Sequence, residues 1–236
     1  MTLLALDSSG LVASVAIVAE DAVLAEYTVN YKKTHSQTLL PMLDEIVNMV
    51  ELDLAKVDGI AVAAGPGSFT GLRIGSATAK GLGLALSKPI IPIPTLEGLA
   101  YNLFGTDQLI CPMMDARRNQ VYTGLYECNQ EGLHTISEQK AAAIEDIIDE
   151  INQIGRSVIY LGDGTSVNEA LIREKTKVDY HFAPAHLSRQ RAASIGGLGI
   201  LYMKQNKVET AAEHAPVYLR LSQAERERAE KLKEEA

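Results

Sequence analysis

The chain has 236 residues, 47% hydrophobic and 22% charged, enough for one large domain or two small lobes with separate cores. A formal net charge of −8 and the lack of a long basic run exclude a broad nucleic-acid surface and leave room only for a local arginine patch. Cys111 and Cys128 lie in no CxxC pair, no basic and apolar leader precedes the first strand-like run, and no apolar stretch reaches roughly 18 residues, so a cytoplasmic protein with buried thiols is expected, not a zinc site, a disulfide framework or a membrane span.

In chain order, TLLALDSS reads as a buried strand ending in a polar turn. LVASVAIVAE and AVLAEYTVN follow as β-rich runs with tight turns, which predicts an antiparallel meander. From Ser36, a candidate N-cap, to about Val50, residues Leu39, Leu40, Leu43, Ile46, Val47 and Val50 share one helical face, with Pro41 early enough to be tolerated. GIAVAAG has the length of a buried strand, a helix from about Phe69 to Leu86 should follow, PIIPIPT reads as an edge or short strand, and LEGLAYNLF as a short helix. The second half begins in the same way. QLICPMMDA, QVYTGLYEC and LHTISEQKA are candidate strands, AIEDIIDEINQI an amphipathic helix, SVIYLGDG a strand with a glycine turn, SVNEALIREK a helix, VDYHFA a short strand and SRQRAASIGGLGILYMKQ an apolar helix. No repeat is visible in the residues themselves. The closing AERERAEKLKEEA is expected to be a solvated helical or frayed tail.

The stretch GPGSFTGLRIG sits between a strand and a helix, where missing Cβ atoms and a helix N-terminus can cradle phosphate. It lacks the Walker lysine and the spacing of a dinucleotide turn. Packing is the competing explanation: Gly71 and Gly75, then Ala77, Gly81 and Ala85, recur every four residues and would let another helix approach closely. Asp7-Ser8-Ser9 is equally two-sided. It could hold a Mg²⁺ water and a phosphate, or form a turn that satisfies its own N–H groups.

LLALDSS, AGPGSFTGLRIG, MDARRNQVY, YLGDG and APVYLR, in this order, resemble the TsaB (YeaZ) family, to about Leu221. The resemblance implies an α/β actin/hexokinase/Hsp70-like (ASKHA) fold with a mixed sheet flanked by helices in each of two lobes. The lobes would be 1–104 and 105–222, the last helix able to pack back on the first lobe, with a tail at 223–236. It further implies a noncatalytic subunit of bacterial tRNA threonylcarbamoyladenosine synthesis. Such a subunit would be homodimeric alone, pair with a TsaD-like transferase and a TsaE-like ATPase, and reach tRNA only through the complex. The donor would come from TsaC-type enzymes. No cofactor would be required by this chain, with ATP and Mg²⁺ only at a complex interface. TsaD-like proteins carry a metal-binding H-x-E-G-H segment, which here reads Thr95-Leu96-Glu97-Gly98-Leu99, so both metal ligands are replaced. His35, His134, His181, His186 and His214 offer no competing ligand pattern, and there is no GxSxG elbow and no HExxH.

The resemblance assigns docking to the helices at 36–50 and 69–86, with Leu39, Leu43, Ile46, Gly71, Ile74, Gly75, Thr78 and Gly81 as interface residues. Asp7, Ser8, Gly67, Ser68 and Gly164 are assigned a residual nucleotide contact, which in an alternative reading would serve a kinase-like ATP-dependent enzyme. Asp115, Arg117 and Arg118 would place charge at the cleft or on a partner, or form a structural ion pair. With Arg189 and Arg191, the two arginines are also candidates for a minor RNA patch.

Overall fold

A computed structural model describes residues 1–31, 35–130 and 132–220, so the charged tail lies outside the described residues. The first lobe contains β1 (Thr2–Asp7), β2 (Ala13–Ala19), β3 (Val23–Val29), α1 (His35–Met49), β4 (Gly59–Gly65), α2 (Phe69–Leu86), β5 (Ile90–Pro94) and α3 (Thr95–Ala100). The second contains β6 (Leu109–Asp115), β7 (Gln120–Asn129), β8 (Gly132–Ala143), α4 (Ile144–Ile154), β9 (Val158–Leu161), α5 (Asp163–Val167), α6 (Glu169–Lys175), β10 (Tyr180–Phe182) and α7 (Ala192–Lys204).

Each lobe has a five-stranded mixed sheet, ordered β3-β2-β1-β4-β5 and β10-β9-β6-β7-β8. In the first, β1 pairs antiparallel with β2 and parallel with β4, and β4 runs parallel to β5. In the second, β6 pairs antiparallel with β7 and parallel with β9, and β9 runs parallel to β10. The two sheets therefore have the same topology, although no residue repeat shows it. This is the two-lobed α/β arrangement expected.

The continuous apolar run of β1 follows from burial on both faces. Leu4 and Leu6 join Val15, Ile60 and Val62 beneath α1 and α2, while Leu3 and Ala5 face α7 with Ala16, Ala61 and Ala63. The α7 side is built from small residues because that helix lies close to the sheet. A Cβ on Gly199 would come within 2.8 Å of the Ala61 Cβ and 3.0 Å of Leu3 Cδ1. Thus α7, from the second half of the chain, covers the first sheet, while α3, from the first half, buries Leu96, Leu99 and Ala100 against Ile110, Met114, Tyr122 and Tyr126 of the second sheet. The segment after α7 returns to the first lobe, where Val217 N–H donates to Ala64 O at 2.7 Å and Glu209 pairs with Ile90.

Three local expectations are corrected. Ser36 lies inside α1, which is described from His35, so it is not the cap. The helix expected over SVNEALIREK is broken at Asn168: its side-chain amide donates back to Gly164 O at 2.8 Å, and its backbone leaves helical geometry between α5 and α6. The glycine turn at Gly162-Asp163-Gly164 is accordingly the start of α5. Among the described residues, no helix is long and apolar enough to cross a membrane.

Candidate functional site

The glycine stretch forms the turn from β4 into α2 through a cis Gly65–Pro66 peptide, and Ser68 caps α2 by accepting from Gly71 N–H at 3.3 Å. What packs against it is the Asp7-Ser8-Ser9 turn. Ser68 N–H donates to Ser9 O at 2.7 Å, and Ser8 Oγ donates to Gly71 O at 2.9 Å. A Cβ at Gly67 or Gly71 would collide with the carbonyl oxygen of Ser9 or Ser8, and one at Gly75 would lie 2.5 Å from Ser8 Oγ. These glycines make room for the chain's own β1 turn. Asp7, Ser8, Gly67 and Ser68, expected at a nucleotide, do come together. Asp7, Ser8 and Ser9 are nevertheless almost fully closed to solvent, at 1%, 2% and 0% exposed. Asp7 Oδ1 accepts from Ser9 N–H at 2.9 Å and Ser9 Oγ at 2.6 Å. Burial pushes the Asp7 carboxyl up to about 6, against the opposing pull of the Ser9 hydrogen bonds and His35. Gly164 lies in the second lobe, packed on the backbone of Met113 and Met114.

The expected interface divides in the structure. Leu39, Leu43 and Ile46 are 1–4% exposed and belong to the core beneath α1 and α2, and Gly71 and Gly75 are buried against Ser8. Their assignment to a docking face is corrected: the apolar stripe of an amphipathic helix faces its own sheet. Ile74 and Thr78 are half-buried, with Ile74 packed on that core and Thr78 Oγ1 donating to Ile74 O at 2.9 Å. Only Gly81 points outward, where an added Cβ would meet no other atom within 4 Å. Leu40, expected on the apolar face of α1, is instead 54% exposed on its outer side, with Met49 at 72% beside Asp44 and Glu45, and the outer face of α2 carries Leu84 at 69% beside Arg73, Ala77 and Ala85. The signal that could have found them is large apolar residues on otherwise polar helix faces.

The positions of the missing metal ligands are filled by packing. Thr95 is fully buried and its Oγ1 accepts from Gly65 N–H at 3.1 Å, while Leu99 is buried in the core shared by the two lobes. Glu97 accepts from Tyr202 Oη at 2.6 Å, and burial pushes its carboxyl up. Among the described residues, no group of three or more His, Cys, Asp and Glu could hold a metal ion.

Asp115 ends β6 as Asp7 ends β1, but is exposed, and its Oδ1 accepts from Arg117 N–H at 2.8 Å. Its own N–H donates to Asp163 Oδ1 at 3.2 Å, and burial pushes the Asp163 carboxyl up. Arg117, Arg118 and Asn119 follow with φ of 62°, 57° and 58°, three successive side chains in the left-handed region. Among the described residues neither arginine has an ion-pair partner. Arg191 pairs with Glu26, and Arg189 donates to Ser188 and Ser166.

A family model described as TsaD, tRNA N6-adenosine threonylcarbamoyltransferase, matches residues 22–228. The tRNA threonylcarbamoyladenosine biosynthesis protein TsaB of Bacillus subtilis is 35% identical over 225 residues, covering 95% of this chain and 96% of that protein. The TsaB protein of Escherichia coli is 29% identical over 225 residues, covering 93% and 95%. YeaZ from Pseudomonas aeruginosa superposes with a TM-score of 0.76 at 26% identity, covering 92% of this chain and 99% of that one. An inorganic polyphosphate/ATP-glucomannokinase from Arthrobacter, at 13% identity and a TM-score of 0.52, shares the fold alone.

Proposed function

The chain belongs to the TsaB (YeaZ) family of TsaD-like proteins, and on that premise we propose that it is a noncatalytic docking subunit in bacterial tRNA N6-threonylcarbamoyladenosine synthesis. The observation that carries the reading is the outer surface of α1 and α2. Leu40, Met49 and Leu84 are large apolar side chains left in solvent, and Ala77, Gly81 and Ala85 are exposed small residues recurring every four positions along α2. Such a surface suits the close approach of another pair of helices. The proposed occupant is a TsaD-like transferase subunit, or a second copy of the chain when it is alone, with a TsaE-like ATPase joining the assembly.

A noncatalytic role is supported by the residues at the interlobe positions. Thr95 and Leu99 stand where TsaD-like proteins carry metal-ligating histidines, and Asp7 is engaged by Ser9 and closed to solvent. In this reading any ATP and Mg²⁺ act at a complex interface, and the chain needs no cofactor of its own.

Sedimentation of the chain with a TsaD-like subunit tests the docking face. Gly81→Leu is expected to weaken pairing roughly tenfold or more, because overpacking a close contact costs about 1–3 kcal/mol. Unchanged pairing by this variant would remove α2 from the interface.

A further inference from the structure

We propose that the C-terminal strap, the start of α2 and the β6–β7 turn form a second surface, adjoining the outer face of α2 at Arg73, that binds RNA, holding phosphates with arginines and stacking an unpaired base beside the Phe69–Tyr218 pair. The choice of RNA as the partner rests on the assignment to tRNA modification. The surface itself rests on geometry.

Leaving the first lobe at Val217, the strap lays Tyr218 on Phe69 with ring centroids 4.4 Å apart and planes 3° from parallel. Arg73 sits beside both rings, 6.0 Å and 5.9 Å from their centroids, and its Nε donates to Tyr218 Oη at 3.2 Å. Two residues on, Arg220 donates to Ala116 O and so fastens the strap to the turn that presents Arg117 and Arg118. The strap thus carries the aromatic pair and Arg73 at one end and the turn that bears the exposed Arg117 and Arg118 at the other. In the other described arginines a partner is common: Arg156, Arg173 and Arg191 each pair with a glutamate. Among the described residues, Arg73, Arg117, Arg118 and Arg220 have no carboxylate partner. The Asp115 carboxylate is turned to the Arg117 backbone N–H.

A chain of net charge −8 that leaves these four guanidinium groups without a carboxylate partner among the described residues offers them to an anion. One further feature specifies the class. The stacked, partly exposed aromatics add a flat platform, which a base uses and a carboxylate does not.

The test is fluorescence anisotropy of the full chain with labelled unmodified tRNA transcript across a salt series, beginning at low ionic strength. Wild type is expected to bind, and Arg117→Gln/Arg118→Gln to lower the slope of log K against log salt by about 1.5, the value for two lost phosphate contacts. Tyr218→Ala is expected to weaken binding roughly five- to 100-fold with the slope retained, and Tyr218→Phe to restore it, which separates lost stacking from lost folding. No binding by wild type, or unchanged slope in the double arginine variant, would overturn the proposal. So would displacement of the RNA by polyglutamate as effective as by unlabelled tRNA, which would mark the surface as a face for an acidic protein. Sedimentation of the double arginine variant with the TsaD-like subunit keeps the two readings apart. Retained pairing with no RNA effect removes this surface and leaves the docking assignment standing.

Discussion

Asp7 carries a carboxyl raised to about 6 inside a closed turn, so its ionised form opposes folding near neutral pH. The folded value lies above the usual 3.8. Its contribution to stability is therefore fully present below that value and is lost as pH rises through about 6. Asp7→Asn keeps an oxygen to accept from Ser9 and removes the charge. It is expected to stabilise the chain at neutral pH by up to about 3 kcal/mol, since each pH unit between the folded and the ordinary carboxyl value is worth about 1.4 kcal/mol. Urea unfolding of both proteins across the acid range checks this, with the gap between them opening as pH rises from about 4 to about 6. A pH-independent gap would contradict it. At this scale the sequence is half legible. Of the two readings of Asp7-Ser8-Ser9, the turn that satisfies its own N–H groups is the one observed. That it also packs on the α2 glycines depends on a contact between residues more than 60 positions apart, which no local pattern encodes.

The span of α2 is readable at its start and end, because small and apolar residues, interrupted only by Arg73 and Lys80, run from Phe69 to Leu86 and Ser68 supplies a cap. Which glycine serves which neighbour is not readable. Gly71, Gly75 and Gly81 look alike in sequence, yet two face Ser8 and one faces solvent. The variants separate accordingly. Gly75→Leu is expected to destabilise the folded chain by about 1–3 kcal/mol or more, since Ser8 has to move and its bond to Gly71 O is lost. A Cβ at Gly81 meets no described atom within 4 Å, and Gly81→Leu is expected to hold or raise stability, by up to about 1 kcal/mol of helix propensity. Thermal melts of the two variants check the contrast, and equal losses would place Gly81 in the interior as well. The same limit of local patterns explains α1. Leu39, Leu43 and Ile46 do share one face, but that face is the core, and Leu40, expected on it, lies off it in solvent with Met49.

For the whole molecule, the alternation of strands and helices is enough to anticipate two α/β lobes. The common strand order of their sheets is hidden because topology is set by pairing between strands, which the residues of each strand do not record. The packing of α7 back on the first lobe is implied only by the family resemblance, and the packing of α3 on the second sheet is hidden for the same reason. Leu99 of α3 is buried against the second sheet and Ile195 of α7 against the first, so each lobe is completed by the other half of the chain. The strap adds Val217 on one lobe and Arg220 on the other. This interlocking gives a firm body on whose outer surface α1 and α2 are presented, which is what a docking subunit requires. The most direct measurement of that role is reconstituted tRNA threonylcarbamoyladenosine formation with TsaD- and TsaE-like partners, donor and tRNA, in which this chain is supplied, omitted or replaced by Gly81→Leu. Modification is expected to need the chain and to fall with the variant in proportion to lost pairing. Modification that proceeds equally well without the chain would contradict the account.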